Sequence, residues 1–236
     1  MFAFMSPIFL TSGNLLNIAR QTAMLAVMCF GMVVVLIATG GEADMSLAGV
    51  TGLTAGVAIT LLVNGASTVV AIIGATGAGL ASGLLNGVLV TKVGLLPFLA
   101  TLATSNMAMG LEQVFTKGTS VAFSDKFITH LASGDALAIP TSLFLVAALF
   151  MGFHIVLDHT GIGRRLYAVG GNPQVARMSG VDVAKYTAMA FGTAGLCAGI
   201  AGVLLVGRLS GLTPLAASYM HLDVLLAGYV STVLST

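Results

Sequence analysis

Between Asp44 and Lys92 the chain runs for 47 residues without one Asp, Glu, Lys or Arg. Shorter gaps repeat the pattern. Twenty-one residues separate Arg20 from Glu42, 19 separate Lys92 from Glu112, 22 separate Asp135 from Asp158, and 22 separate Lys185 from Arg208. A helix that crosses the hydrocarbon core of a bilayer needs about 20 mostly apolar residues. Each gap holds one crossing, and the 47-residue gap holds two, with Asn64, Gly65 and Ser67 supplying the turn. After Asp223 only 13 residues remain, too few to cross. The segments are rich in Gly and Ala and lack the alternation of membrane strands. The expected fold is an all-α, polytopic integral membrane helix bundle. Its six full spans lie near 21–41, 45–63, 66–90, 94–115, 137–157 and 186–207, with a truncated seventh from about 224.

Composition closes off the other classes. Charged residues make up 7% of the chain, against about 25% in a soluble domain. Apolar residues make up 57% and mean hydropathy is +1.05. So few charges cover no soluble surface, and so apolar a chain is not disordered. A net charge of +1 gives no electrostatic case for nucleic acid or for an anionic membrane surface. Cys29 and Cys197 sit in apolar runs and form no disulfide framework. No secretory signal follows Met1.

Orientation rests on residues 158–185, where Arg164, Arg165, Arg177 and Lys185 cluster. The positive-inside rule places this segment in the cytoplasm. Counting back, Lys92, Glu42 and Asp44 lie inside, while residues 1–20 and 116–136 lie outside. An outer N-terminus without a signal implies that a further span precedes Met1, and the C-terminus stops in mid-span. The chain is therefore expected to be incomplete at both ends.

Small residues recur at helical spacing. Gly79, Gly83 and Gly87 repeat every four residues, as do Gly52 with Gly56 and Gly195 with Gly199. Such faces let helix backbones approach closely in lipid, within one subunit or between two. Pro97 either breaks the fourth span or starts its helix. Thr101, Thr104, Ser105 and Asn106 follow it, and Asn86 is another polar side chain deep in a span. Glu112, near the outer end of the fourth span, is expected to snorkel.

Within residues 158–185, the run GGNPQVARMSG encodes a two-turn helix at about 173–179. Asn172 is a good N-cap, Pro173 a good first residue, and Gly180 a good residue beyond the end. Val175 and Met178 share a face and Arg177 points elsewhere. So short a helix needs a partner surface. That surface is a soluble protein, the membrane, or the underside of its own bundle.

The stretch 161–182 resembles the signature loop of permease subunits of bacterial ABC importers of the ribose/xylose/autoinducer-2 class. Gly163, Arg164, Tyr167, Ala168, Gly170, Gly171, Asn172, Pro173, Ala176, Arg177, Ser179 and Gly180 stand in matching places. The segments SPIFLTSGNLLNIARQ (6–21), GGEADMSLAG (40–49), GLLNGVLVTKVGLLPFLATLAT (83–104) and HLDVLLAGYVSTVLST (221–236) are similar to further family motifs in the same order. The resemblance implies a multi-pass subunit of the bacterial inner membrane that pairs with a second permease subunit, as homodimer or heterodimer. It also implies a separate ABC ATPase carrying ATP and Mg, and a periplasmic substrate-binding protein. The short helix is then the coupling helix that enters the ATPase. Its residues are Asn172, Pro173, Ala176, Arg177, Ser179 and Gly180, joined by the apolar stripe Val175 and Met178. The solute would be a sugar or related small polar molecule. Candidate contacts along its path are Asn86, Thr101, Thr104 and Asn106, for polarity at depth, and Phe98, for an aromatic face that stacks on sugars or packs in the core.

No G-x-x-x-x-G-K-[ST] run is present, so the chain carries no phosphate cradle of its own. His154 and His159 lie five apart, no HExxH exists, and no Ser/His/Asp or Cys/base constellation converges. The reading is a transport subunit, not an enzyme, with no metal site. Two alternatives are an ion-coupled secondary transporter and a truncated, non-transporting fragment that associates with a full permease.

Overall fold

A computed structural model describes residues 10–136 and 139–234, with side chains as far as residue 231. The helices are α1 (Ser12–Thr39), α2 (Leu47–Val63), α3 (Thr68–Val88), α4 (Pro97–Thr116), α5 (Lys126–Ser133), α6 (Thr141–His159), α7 (Gly161–Gly171), α8 (Pro173–Met178), α9 (Val183–Leu209) and α10 (His221–Leu234). A π-helical turn, Leu89–Val93, extends α3, and a 3-10 turn, Ala216–Met220, precedes α10. Two short antiparallel pairs join segments between the helices. They are β1 (Val121–Ala122) with β4 (Gly211–Leu212), and β2 (Asp135–Ala136) with β3 (Ile139–Pro140).

Local chemistry starts these helices. Ser67, Asp125, Thr160, Asn172 and Asp182 each accept a backbone N–H from the first turn they cap. Gly40 and Gly94 end α1 and the π turn in left-handed conformations, φ +73° and +79°.

Four of the described helical stretches are long and apolar enough to cross a membrane: α1, α3 with its π turn, α6 and α9. The 17-residue α2 is shorter, and α4 carries Asn106, Glu112 and Gln113. The predicted spans correspond to α1, α2, α3, α4, α6 and α9, but several limits move. Helix α1 starts nine residues before the expected 21, because Arg20 lies within it and pairs with Asp135 at 2.6 Å. Residues 137 and 138, where the fifth span was expected to begin, lie outside the described residues, and α6 starts at Thr141. Residues 6–9 and 235–236 of the motif segments also lie outside them.

The core is α9, packed against α1, α2 and α3. Its partnership with α3 is backbone against backbone. A Cβ at Gly79 would strike the Gly195 carbonyl and the Gly199 backbone, and one at Gly83 would strike the Phe191 carbonyl. Gly87 sits on Ala188 in the same way. Gly52 faces the Glu112 carboxylate, while Gly56 has only ordinary contacts with Glu112 and Phe115. At these glycines the close approaches all lie within one chain. Helix α6 lies at the other extreme, with Ser142 its one buried residue.

Of the two readings open for Pro97, the second holds: it is the first residue of α4 and breaks nothing, and the irregular backbone lies one turn earlier, in the π turn. Glu112 does not snorkel. It is 1% exposed, and its Oε1 accepts the Leu215 backbone N–H at 2.9 Å. Asp44 is not at a solvent-facing helix end but is 2% exposed. Its N–H reaches the Met32 Sδ at 3.4 Å, seven residues before the last residue of α1. The 40–46 segment therefore folds back by about 10 Å at 1.5 Å per helical residue.

Candidate functional site

Two helices occupy residues 158–185, where the sequence suggested one. The unexpected one, α7, is capped by Thr160. It docks through two bare backbone contacts, Gly163 on the Leu157 carbonyl and Gly170 on the Ile37 carbonyl. Arg165 ties it to α9 by donating to the Tyr186 hydroxyl at 2.7 Å. Ile162, Leu166 and Val169 recur at helical spacing in α7, but its four glycines resemble loop residues and mask the pattern.

Helix α8 stands on this base. The Asn172 Oδ1 accepts the N–H groups of Gln174 and Val175 at 3.0 and 3.1 Å. Pro173 is the first helical residue. At the other end Ser179 is the C-cap and Gly180 has φ +78°. The Val181 N–H returns to the Ala176 carbonyl and the Gly180 N–H to the Arg177 carbonyl. This double closure satisfies carbonyls that would otherwise be orphaned. Ala176 is buried beneath, while Val175, Arg177 and Met178 face outward, Met178 at 89% exposure. Six residues locked at both ends thus present two apolar side chains and a guanidinium to solvent.

The polar residues expected along a path divide into two groups. Asn86, Thr101 and Thr104 are buried, and Phe98 and Asn106 are exposed. The Asn86 Nδ2 donates to the Ser46 Oγ at 2.8 Å, and the Ser46 hydroxyl and N–H both donate to the Asp44 Oδ1 at 2.6 and 2.7 Å. The Met45 N–H donates to the Thr101 Oγ1 at 3.0 Å. These bonds fasten the start of α2 to α3 and α4. The Asn86 Oδ1 and Ser105 Oγ are buried without described partners. Neither Asp44 nor Ser46 was singled out from sequence. The GGEADMSLAG motif was visible, but its inward fold was not.

The family described as branched-chain amino acid transport system / permease component matches residues 14–236. The ribose import permease protein of Escherichia coli strain K12 is 34% identical over 94% of this chain and 70% of its own length. That of Bacillus subtilis strain 168 is 34% identical over 95% and 70%. The D-allose transport system permease protein of Escherichia coli strain K12 is 33% identical over 91% and 66%. The chain belongs to this permease family. No solved structure matches it significantly.

Opposite its buried side, helix α4 of this permease shows a second face. Leu99, Leu102, Ala103, Asn106, Gly110 and Gln113 are all exposed there. At 100° per residue they lie along one stripe. Two amides on an apolar helix are costly to present to lipid.

Elsewhere the titratable groups are few. His154 pairs with Asp158 at 2.7 Å and meets the His159 ring edge-on at 5.2 Å, although five residues separate the two imidazoles. Burial, with Asp158 nearby, raises the Tyr167 phenol above its ordinary value. Among the described residues no three His, Cys, Asp or Glu side chains gather to hold a metal.

Proposed function

We propose that this chain is the transmembrane subunit of an ABC importer in the bacterial inner membrane, carrying a sugar or related small polar solute. The relatives named for ribose and allose support the solute class. Helices α1, α2, α3, α4, α6 and α9 are the six spans, and α10 begins a seventh. The permease forms one domain, with residues 158–185 as its cytoplasmic appendage and α8 as the coupling helix. ATP and Mg reside on a separate ATPase subunit, and a periplasmic protein delivers the solute.

The observation that carries this reading is the rigid, doubly capped α8 with Val175, Arg177 and Met178 exposed. A helix that merely lay on its own bundle would turn these side chains inward. The amide-bearing stripe of α4 supports a second permease subunit and a solute path on that side, with Asn106 along it and Phe98 exposed at the first turn of the helix. Asn86, Thr101 and Thr104 instead hold the floor of α2. An ion-coupled carrier gains nothing from the two buried carboxylates, because Asp44 and Glu112 are each engaged by local donors.

The test is purification from the native membrane in mild detergent, followed by ATP-driven uptake of labelled pentoses and hexoses into proteoliposomes. An ABC ATPase that copurifies, and is lost on Arg177→Glu, supports the reading. Uptake that needs no ATPase, or an Arg177→Glu variant with intact ATPase binding and uptake, overturns it.

A further inference from the structure

Helix α9 measures the bilayer. Lys185 and Arg208 bracket its 22 uncharged residues, a rise of about 35 Å against a hydrocarbon core of about 30 Å. Both cations therefore stand in headgroup layers, on opposite sides. At the Lys185 end there is a cavity of about 280 Å³ between α7 and the α8–α9 turn, lined by Arg165, Ser179, Asp182, Lys185 and Tyr186 among others.

The chemistry of this cavity is that of an anion site. Arg165 is fixed over the Tyr186 ring, 5.8 Å from its centroid, and donates to its hydroxyl. Tyr186 is 6% exposed. Its oxygen accepts from Arg165, and no described acceptor takes its proton. The Asp182 carboxylate is already engaged, since its Oδ1 accepts the Lys185 backbone N–H at 3.0 Å. The described ion pairs are Arg20–Asp135 and His154–Asp158, so Arg165 and Lys185 have no carboxylate partner among the described residues. Two cations, one carboxylate and a buried tyrosine thus line one space, with a formal net charge of +1.

We propose that this cavity binds a phosphate group, that of an anionic phospholipid headgroup in the leaflet on the side of residues 158–185. Depth decides the source, because the site lies where lipid phosphates are already concentrated. Basic pockets beside helix ends recognise such headgroups. A net charge of +1 hides the site, because the charges that build it are local. Ser179 and Gly180 line the cavity and also end α8, so a bound headgroup braces the base of that helix.

The test is native mass spectrometry of the purified, delipidated protein titrated with phosphatidylglycerol or phosphatidylcholine. Wild type retains phosphatidylglycerol preferentially. Arg165→Ala with Lys185→Ala weakens that retention about thirtyfold, from the usual worth of two interfacial cations. Lys117→Ala with Lys126→Ala, which removes as much charge on the opposite face, leaves it unchanged. Tyr186→Phe and Lys185→Gln each preserve packing, and each weakens retention severalfold, so a misfolded double variant does not shield the proposal. Inorganic phosphate at 10 mM leaves the lipid bound. Equal retention of both lipids, or retention unaffected by the cavity variants, overturns the proposal. Displacement by free phosphate overturns it in favour of a soluble anion. Loss of ATPase binding in the double variant with lipid retention intact overturns it in favour of an acidic side chain on the ATPase.

Discussion

The Glu112 carboxylate and the Leu215 backbone N–H meet at 2.9 Å across 103 residues of sequence. This bond ties the C-terminal end of α4 to the segment between β4 and α10. Glu112→Ala leaves the partly buried N–H without its partner and costs about 1 kcal/mol. Glu112→Gln keeps an acceptor and costs less. Thermal unfolding in detergent measures both, and faster hydrogen exchange at residues 211–216 in Glu112→Ala locates the loss.

Two glycines on α3 give opposite outcomes. Gly79 faces the Gly195 carbonyl, whereas a Cβ at Gly77 meets nothing. Gly79→Val forces α3 and α9 apart and costs at least about 1–3 kcal/mol. Gly77→Ala is neutral or stabilises by up to about 1 kcal/mol through helix propensity. Equal effects in thermal unfolding contradict the backbone packing.

On α8, the proposed coupling helix, cap and contact separate. Asn172→Ala removes the cap of α8 and costs that helix about 1 kcal/mol, so ATPase affinity falls severalfold. Met178→Asp leaves the fold intact and abolishes ATPase binding. Calorimetry with the purified ATPase reads both.

The exposed and the buried polar-path residues predict different losses. Asn106→Ala and Phe98→Ala, both at exposed positions, reduce uptake while thermal stability holds. Asn86→Ala removes the donor to Ser46 and destabilises the fold by about 1–2 kcal/mol, with uptake falling only as folded protein is lost.

Asp125 supplies a pH dependence. Slight burial alone would raise its carboxyl, but the Ile128 N–H, the Thr68 hydroxyl and the Phe127 N–H together hold it below its ordinary value of 3.8. The stability it contributes is therefore complete above that value and is lost as pH falls through the lower, folded one. The thermal midpoint of Asp125→Ala lies below wild type at pH 6, and the difference closes below about pH 4.

The apolar helices are legible because a charge in hydrocarbon is so costly that charge-free gaps mark them. The same rule fails where a charged side chain finds a distant partner. Arg20 was read as a boundary because Asp135 lies 115 residues away. Glu112 was read as snorkelling because nothing near it in sequence announces Leu215. Helix α8 was legible since its caps are local, Asn172 and Gly180 acting on neighbouring residues. The inward fold at Asp44 was not, because its partners lie on three other segments.

The interlocked backbones of α3 and α9 constrain how force can travel. With Gly79, Gly83, Gly195 and Gly199 in mutual contact, α9 cannot spin about its own axis without colliding with α3. A thrust delivered at α8, whose last residue lies four before Asp182, would pass into α9 and α3 together. Helices α1 and α2 also meet α9 backbone to backbone, Gly31 on Ala194 and Gly202 on Ala55, so these four helices move as one block, and relative motion is left to α6, which buries Ser142 alone.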